Sequence, residues 1–145
     1  MDNRYLIYTD GGSRGNPGPA ALGVVIEGNV TGRKEYGEYL GEKTNNFAEY
    51  SAVVFALKKL KSLIGGEKAK VGKVEIHADS ELLVKQLNGE YKVKDEGMQK
   101  LFFEIWNLKL DFGEVIFRHI PREENHGADA VVNKVLDAKL NKLDL

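Results

Sequence analysis

The sequence predicts an α/β fold, a five-stranded mixed sheet flanked by helices, in the order β-β-β-α-β-α-α-β-α. Two observations carry this prediction. Short runs rich in β-branched and aromatic residues, bounded by Gly, Asn or Pro, are typical of strands. Amphipathic stretches at helical spacing follow the first three runs and then alternate with two more. This order predicts a sheet that begins as an antiparallel meander and carries helices on its faces.

The bulk composition indicates one globular domain spanning residues 1–145, of which 42% are hydrophobic. Lys and Arg number 21 against 22 Asp and Glu, so a nucleic-acid partner would require local basic patches or metal ions. The chain has no cysteine, no signal-peptide pattern at its N-terminus and no apolar run of membrane-spanning length. We therefore expect a cytoplasmic protein without a membrane segment.

The first strand is predicted over residues 5–9 and ends on an acid, Asp10. A run of Gly, Ser, Asn and Pro follows over residues 11–19, where the chain can turn sharply and bring its backbone close to a ligand. Since open α/β sheets place their chemistry at the carboxyl ends of strands, Asp10 is a candidate site residue. The alternative is that Asp10 merely begins a turn.

The remaining elements follow from the same signals. Strands are predicted over residues 20–27 and 34–40, a helix over 47–61 capped by 44–46, and a loop over 66–73. The second half is predicted to contain a strand at 74–78, helices at 80–87 and 96–110, a strand at 115–120, and a last helix at 125–140. The broad apolar face of the 96–110 helix is expected in the core, and it comprises Met98, Leu101, Phe102, Ile105, Trp106 and Leu108.

Three further carboxylates stand where a metal site requires them. Asp79 ends the fourth strand much as Asp10 ends the first. Glu49 lies on the sheet-facing side of its helix, and Asp129 lies near the start of the last helix. The structural alternatives are a helix N-cap for Asp79 and a favourable first-turn acid for Asp129, whereas an inward Glu49 is costly unless it is paired or bound to metal.

A converging cluster of four carboxylates would need a cation, because the groups cannot all ionise comfortably at close range. Oxygen ligands and the lack of cysteine favour Mg²⁺ or Mn²⁺. Two such ions about 4 Å apart suit in-line displacement at a phosphodiester.

Four motifs in register identify a family resemblance. The segments YTDGGSRGNPGPAALGVVI, TNNFAEYSAVVFAL, HADSELLVKQLNGEYKVK and HIPREENHGADAVVNKVL closely resemble type 1 ribonuclease H, especially its short archaeal and plant-like variety. The resemblance implies the ribonuclease H fold and Mg²⁺-dependent endonucleolytic cleavage of the RNA strand of RNA–DNA hybrids. The products would carry 5′-phosphate and 3′-hydroxyl ends. The basic handle of many bacterial members is expected to be absent, because residues 88–95 lead directly into the next helix.

The resemblance also implies the cofactor and the residue roles. Asp10 would bridge two Mg²⁺ ions, with Mn²⁺ expected to substitute. Glu49 and Asp79 would complete one metal site and Asp129 the other. The residues implied to contact the substrate are Gly11, Gly12, Ser13, Asn16, Thr44, Asn45, Asn46 and Arg122. For Thr44, Asn45 and Asn46, helix capping is an alternative that is compatible with substrate contact.

Some implications stay open at this point. The proton-transfer residue would be His126, Glu124 or neither. Glu81 stands where relatives often carry Gln, and a carboxylate cannot donate a hydrogen bond to a minor groove. The protein is expected to be a monomer acting on RNA–DNA hybrids, and double-stranded RNA and RNA–DNA junctions are open as further substrates.

The main alternative function is a hybrid-binding module of the same fold without catalysis. An idle cluster of like charges would only destabilise such a module, which favours the enzyme. Dinucleotide-binding and P-loop proteins are excluded, because neither G-x-G-x-x-G nor G-x-x-x-x-G-K-[ST] occurs.

Overall fold

The computed structural model describes residues 2–143 and confirms the predicted α/β class. Its strands are β1 (Arg4–Ser13), β2 (Gly18–Gly28), β3 (Gly32–Lys43), β4 (Lys73–Ala78) and β5 (Glu114–His119). Its α-helices are α1 (Asn45–Ile64), α2 (Gly66–Val71), α3 (Glu81–Leu87), α4 (Glu96–Lys109) and α5 (His126–Leu143). A 3₁₀ turn at Arg122–Glu124 precedes α5.

The five strands form one sheet in the order β3-β2-β1-β4-β5. The β1–β2 and β2–β3 pairs are antiparallel, whereas β4 runs parallel to both β1 and β5. The mixed sheet and its meander are therefore confirmed. A parallel connection needs a long crossover, and α1 together with α2 supplies it between β3 and β4.

Glycines show which helix covers which face of the sheet. A Cβ atom on Gly11 would meet the backbone of Ala48 in α1, and one on Gly23 would meet the carbonyl of Ala128 in α5. Asp10 pairs with Gly23 across the strands, and successive strand residues point to opposite faces. Helices α1 and α5 therefore cover opposite faces, and the Asp10 side chain lies on the α5 side.

The larger core lies between the sheet and α1. Its fully buried side chains include Ile7, Leu22, Ile26, Tyr50, Leu57 and Leu60. A smaller cluster, formed by Ala21, Val132 and Leu136, holds α5 against the other face. The α5 helix, which carries Asp129, is thus docked by its own apolar contacts with the sheet.

The predicted end of the first strand was wrong. The strand β1 continues past Asp10 to Ser13, because its antiparallel pairing with β2 runs on to the pair Ser13 and Ala20. Only the parallel pairing with β4 stops earlier, at Thr9 and Ala78. The turn is therefore confined to residues 14–17, which include a cis Asn16–Pro17 peptide bond.

Two other expectations also failed. Residues 66–71, predicted to be loop, form α2, whose Ala69 is buried and accepts a hydrogen bond from the Gly113 backbone N–H at 3.1 Å. Trp106, predicted to be in the core, is 51% exposed, because the buried stripe of α4 runs along Met98 and Ile105. Within residues 2–143, none of the helices combines the length and apolarity that crossing a bilayer requires.

Candidate active site

Three carboxylates converge at the end of the sheet where the pairing of β1 with β4 stops. Asp10, Glu49 and Asp79 each offer an oxygen atom, and these atoms all lie within 4.8 Å of one another. The strand pairing explains two of the three positions. Because the parallel β1–β4 ladder ends at Thr9 and Ala78, the residues that follow, Asp10 and Asp79, leave the ladder side by side.

Glu49 reaches the cluster through a close crossing of α1 over β1. The Thr44 hydroxyl accepts the Phe47 backbone N–H at 3.1 Å and so begins the helix at this point. A Cβ atom on Gly11 would lie 2.4 Å from the Glu49 backbone nitrogen, so only glycine permits this approach. Gly11 therefore has a packing role besides the substrate contact that the resemblance implies.

The proton affinities of the cluster reflect burial and mutual repulsion. Burial, together with the charges of Asp79 and Asp129, raises the pKa of Asp10 to about 8. The pKa of Glu49 is raised to about 7, because the effect of burial outweighs the lowering by the Ser80 hydroxyl and the Arg122 guanidinium. The cluster is thus a set of oxygen donors that cannot all be charged at neutral pH without a counter-ion, as expected of a site for a hard divalent cation.

Asp129 lies at the same depression but outside the trio. It lines, with Asp10, Glu49 and Arg122, a depression of about 250 Å³. The Asn133 carboxamide donates to its Oδ2 atom at 3.3 Å. Asp129 therefore shares this depression with Asp10 and Glu49, and Asp79 joins the same two acids in the trio.

The predicted substrate residues form a connected rim beside the acids. The Oδ1 atom of Asn45 accepts the Ser13 backbone N–H at 2.8 Å and the Ser13 hydroxyl at 3.1 Å. The side-chain Oδ1 atom of Asn16 accepts the Asn45 backbone N–H at 3.0 Å. Gly12 lines the 250 Å³ depression, and half-buried Asn46 follows Asn45 in the helix.

The segment before α5 divides between two surfaces. Arg122 lines the acidic depression, whereas Glu124 and His126 line a separate depression of about 180 Å³ that they share with Tyr8. Arg122 is therefore the residue of this segment that faces the carboxylates.

Some residues of the site region were missed in the sequence. Asn125 is completely buried and donates to Asp79, although it was interpreted only as the start of a helix. Arg14 and Asn133 also line the acidic depression, although neither was singled out within the motifs that contain them. The N-cap alternative for Asp79 is wrong, because Ser80 caps α3 by accepting the Leu83 backbone N–H.

The loop between α3 and α4 is short, and the described residues 88–95 contain no helix. Glu81, at the start of α3, is exposed and pairs with Lys85 at 3.1 Å. This neighbouring lysine compensates part of the negative charge that Glu81 adds at this edge.

A mixed sheet in this strand order, with carboxylates gathered where the parallel β1–β4 pairing ends, defines a ribonuclease H-like α/β protein. A family model described as reverse transcriptase-like matches residues 8–135. The crystal structure of LC11-RNase H1, from a compost metagenome, in complex with an RNA/DNA hybrid superposes with a TM-score of 0.86 at 44% identity, covering 94% of this chain and 99% of that one. The chain belongs to the type 1 ribonuclease H family.

Two curated relatives are longer than this chain. Ribonuclease HI of Halobacterium salinarum is 37% identical over 135 residues, which cover 92% of this chain and 65% of that protein. The bifunctional protein Rv2228c of Mycobacterium tuberculosis is 35% identical over 137 residues, which cover 93% of this chain and 36% of that protein. The chain thus spans about two thirds or less of the length of these relatives.

Proposed function

We propose that this protein is a metal-dependent endonuclease that hydrolyses the RNA strand of RNA–DNA hybrids. The observation that carries the proposal is the convergence of Asp10, Glu49 and Asp79, with ligand oxygens within 4.8 Å of one another, in a chain of the type 1 ribonuclease H family. Its similarity to a compost ribonuclease bound to an RNA/DNA hybrid supports the substrate class. Residues 1–145 would act as a single catalytic domain.

The donor set fits Mg²⁺, and Mn²⁺ would substitute for it. All the donors are carboxylate oxygens, and the raised pKa values of Asp10 and Glu49 mark a site where positive charge is favourable. Asp10, Glu49 and Asp79 would hold one ion, and Asp10 with Asp129 would hold a second. Two bound ions would supply activation of the attacking water and stabilisation of charge on the leaving oxygen.

The reaction is a hydrolysis at phosphorus. Water adds to the phosphorus of the RNA strand, the bond to the 3′ oxygen breaks, and the leaving oxygen takes up a proton. The products carry a 5′-phosphate and a 3′-hydroxyl. Arg122, which faces the acidic depression, is suited to bind a phosphate of the RNA strand beside the scissile bond.

The rim beside the acids would recognise the RNA strand. Gly12 is half-buried and lines the acidic depression, so its backbone would lie within reach of a 2′-hydroxyl. The Oδ1 atom of Asn45 is engaged by Ser13, so a contact from Asn45 to a base edge would use its amide N–H groups. Gly11, Ser13, Asn16, Thr44 and Asn46 would complete this surface.

A cleavage assay tests the proposal. The protein is incubated with end-labelled RNA–DNA hybrid in Mg²⁺ and in Mn²⁺, beside single-stranded RNA, double-stranded RNA and an RNA–DNA junction. Asp10→Asn is the inactive variant, and Asp137→Asn, whose exposed carboxylate pairs with Arg14, is its matched control.

We expect metal-dependent cutting of the RNA strand of the hybrid that is lost in Asp10→Asn and kept in Asp137→Asn. Hybrid binding without cutting in either metal would contradict the proposal and favour the non-catalytic binding module. Cutting of double-stranded RNA or junctions would extend the substrate range.

A further inference from the structure

Asn125 is a polar side chain with no exposed surface, and it lies directly behind the carboxylate cluster. Its Nδ2 atom donates to the Thr9 backbone carbonyl and to the Oδ2 atom of Asp79, both at 2.9 Å. Both partners can only accept, so the orientation of the carboxamide is determined by its contacts. One amide NH₂ group therefore links Thr9, the last β1 residue paired with β4, to the acid that follows β4.

The backbone of Asn125 connects the same point to α5. Its N–H donates to the Arg122 carbonyl at 3.0 Å, and its carbonyl accepts the Asp129 N–H at 3.1 Å. Asn125 thus joins the segment that presents Arg122, the helix that carries Asp129, and the side chain of Asp79. Residues 9, 79 and 125 are far apart in sequence, so this junction exists only in the folded chain.

Two buried atoms without a hydrogen-bond partner distinguish this junction from a buried side chain that serves stability alone. Among the side chains of residues 2–141, the buried atoms that have no hydrogen-bond partner are Thr9 Oγ1 and Asn125 Oδ1, and both are on residues of this junction. A buried amide held for stability alone is normally paired at both ends. Here the side-chain hydrogen bonds of Asn125 go to Asp79 and to the strand beside it.

We propose that Asn125 is a positioning residue: its amino group holds the Asp79 carboxylate in the orientation that the metal-binding cluster requires. A carboxylate that is free to rotate would have to be ordered each time an ion binds, whereas a fixed one is preorganised. Outer-shell hydrogen bonds of this kind typically change metal affinity or activity by about 10–100-fold. The inference rests on the proposed function only for its kinetic consequence, since metal binding is measured separately.

The test compares Asn125→Ala with Asn88→Ala. Asn88 also donates a side-chain hydrogen bond to a distant backbone carbonyl, that of Phe117 at 3.2 Å, but it lies at the end of α3. The first readout is the Mn²⁺ concentration that produces half of the metal-induced rise in Tm. The second is kcat and KM on the RNA–DNA hybrid.

We expect Asn125→Ala to raise the Mn²⁺ midpoint about tenfold or more and to lower kcat at least tenfold, with KM changed less than twofold. Asn88→Ala should lower Tm without moving the midpoint or kcat. Asn125→Ser keeps one short hydrogen-bond donor, so its Mn²⁺ midpoint and kcat should lie between those of wild type and Asn125→Ala. If the alanine variant does not fold, the serine variant is judged by the same two measurements.

A lower Tm in Asn125→Ala with an unchanged Mn²⁺ midpoint would overturn the inference and show that Asn125 serves only the stability of the fold. The failure of the proposed function is distinguishable from this result. If wild type binds Mn²⁺ but cuts no hybrid while Asn125→Ala shifts the midpoint, the endonuclease proposal fails and the positioning role stands.

Discussion

Gly11 of β1 and Ala48 of α1 are in such close contact that a Cβ atom at position 11 would lie 2.2 Å from the Ala48 carbonyl carbon. Each residue is the immediate neighbour of an acid, Asp10 in the strand and Glu49 in the helix. The crossing of these two backbones therefore determines how near the two carboxylates come.

This contact predicts that Gly11→Ala is strongly destabilising. The clash involves backbone atoms on both sides, so no flexible side chain can relieve it, and we expect a loss of at least ~3 kcal/mol, the upper part of the range for overpacking. For a chain of this length that corresponds to a fall in Tm of ~10 °C, measured by circular dichroism. Gly12→Ala is the control and should change Tm little, because its nearest neighbour would be 3.7 Å away. A Gly11→Ala variant as stable as Gly12→Ala would contradict the crossing.

The raised pKa of Asp10 predicts that neutralising it stabilises the metal-free protein. Burial and the neighbouring acids raise this pKa from 3.8 to about 8, so the folded state retains a proton that the unfolded state loses. The contribution of the protonated Asp10 to stability is therefore complete below about pH 4. It is lost as the pH rises to about 8, because the folded state must then give up the proton.

In EDTA, Asp10→Asn should therefore melt like wild type near pH 4 and ~5 °C higher at pH 8, equivalent to roughly 2 kcal/mol. Asp137→Asn removes an exposed acid that is paired with Arg14, and it should show no such gain. Equal Tm values for Asp10→Asn and wild type across this pH range would argue against a crowded cluster.

The same pKa values predict that metal binding releases protons. Asp10 and Glu49, with pKa values of about 8 and about 7, must be deprotonated before they can ligate an ion. The Mn²⁺ concentration at half of the Tm rise should fall by about tenfold or more between pH 6 and pH 7, and level off above about pH 8. A midpoint that is constant from pH 6 to pH 8 would be inconsistent with ligation by these two acids.

The position of Arg122 predicts a role in substrate binding. Removing one charged hydrogen-bond partner of a phosphate typically costs about 1.5–3 kcal/mol. Arg122→Ala should therefore raise KM for the hybrid about tenfold or more and reduce the slope of log K against log salt by about one unit.

The matched variant for this measurement is Arg118→Ala. Arg118 is an exposed arginine of β5 that pairs with Glu75, away from the acidic depression. It should leave KM within about twofold of wild type at the same salt concentration. Similar effects of the two substitutions would mean that general charge, not a phosphate contact at Arg122, controls binding.

Sequence patterns were sufficient for the sheet and for the convergence of Asp10, Glu49 and Asp79, because both depend on local signals. Alternating apolar residues mark strands, and an acid directly after a strand, such as Asp79, is visible without a structure. The end of β1 was misplaced because the pairing with β2, and not the glycine content, decides where the strand stops. The helix α2 was missed because it is short and its Ala69 is buried by tertiary packing.

The positioning contacts could not be predicted, because they join distant parts of the chain. Asn125 looks like an ordinary helix-capping residue, and its bond to Thr9 spans 116 positions. Trp106 fitted the apolar stripe of α4 by spacing, but it lies at the exposed margin of that stripe. The roles implied for the substrate contacts and for Asp129 stay predictions, and Arg122→Ala tests one of these substrate contacts.

The central claim, that Asp10, Glu49 and Asp79 form one metal site, is tested most directly by titrating Mn²⁺ into the protein at pH 8 in a calorimeter. Wild type and Asp137→Asn should bind with the same affinity, and Asp10→Asn should bind at least ~10-fold more weakly, because it loses the acid at the centre of the cluster. Equal Mn²⁺ affinity in all three proteins would contradict the claim.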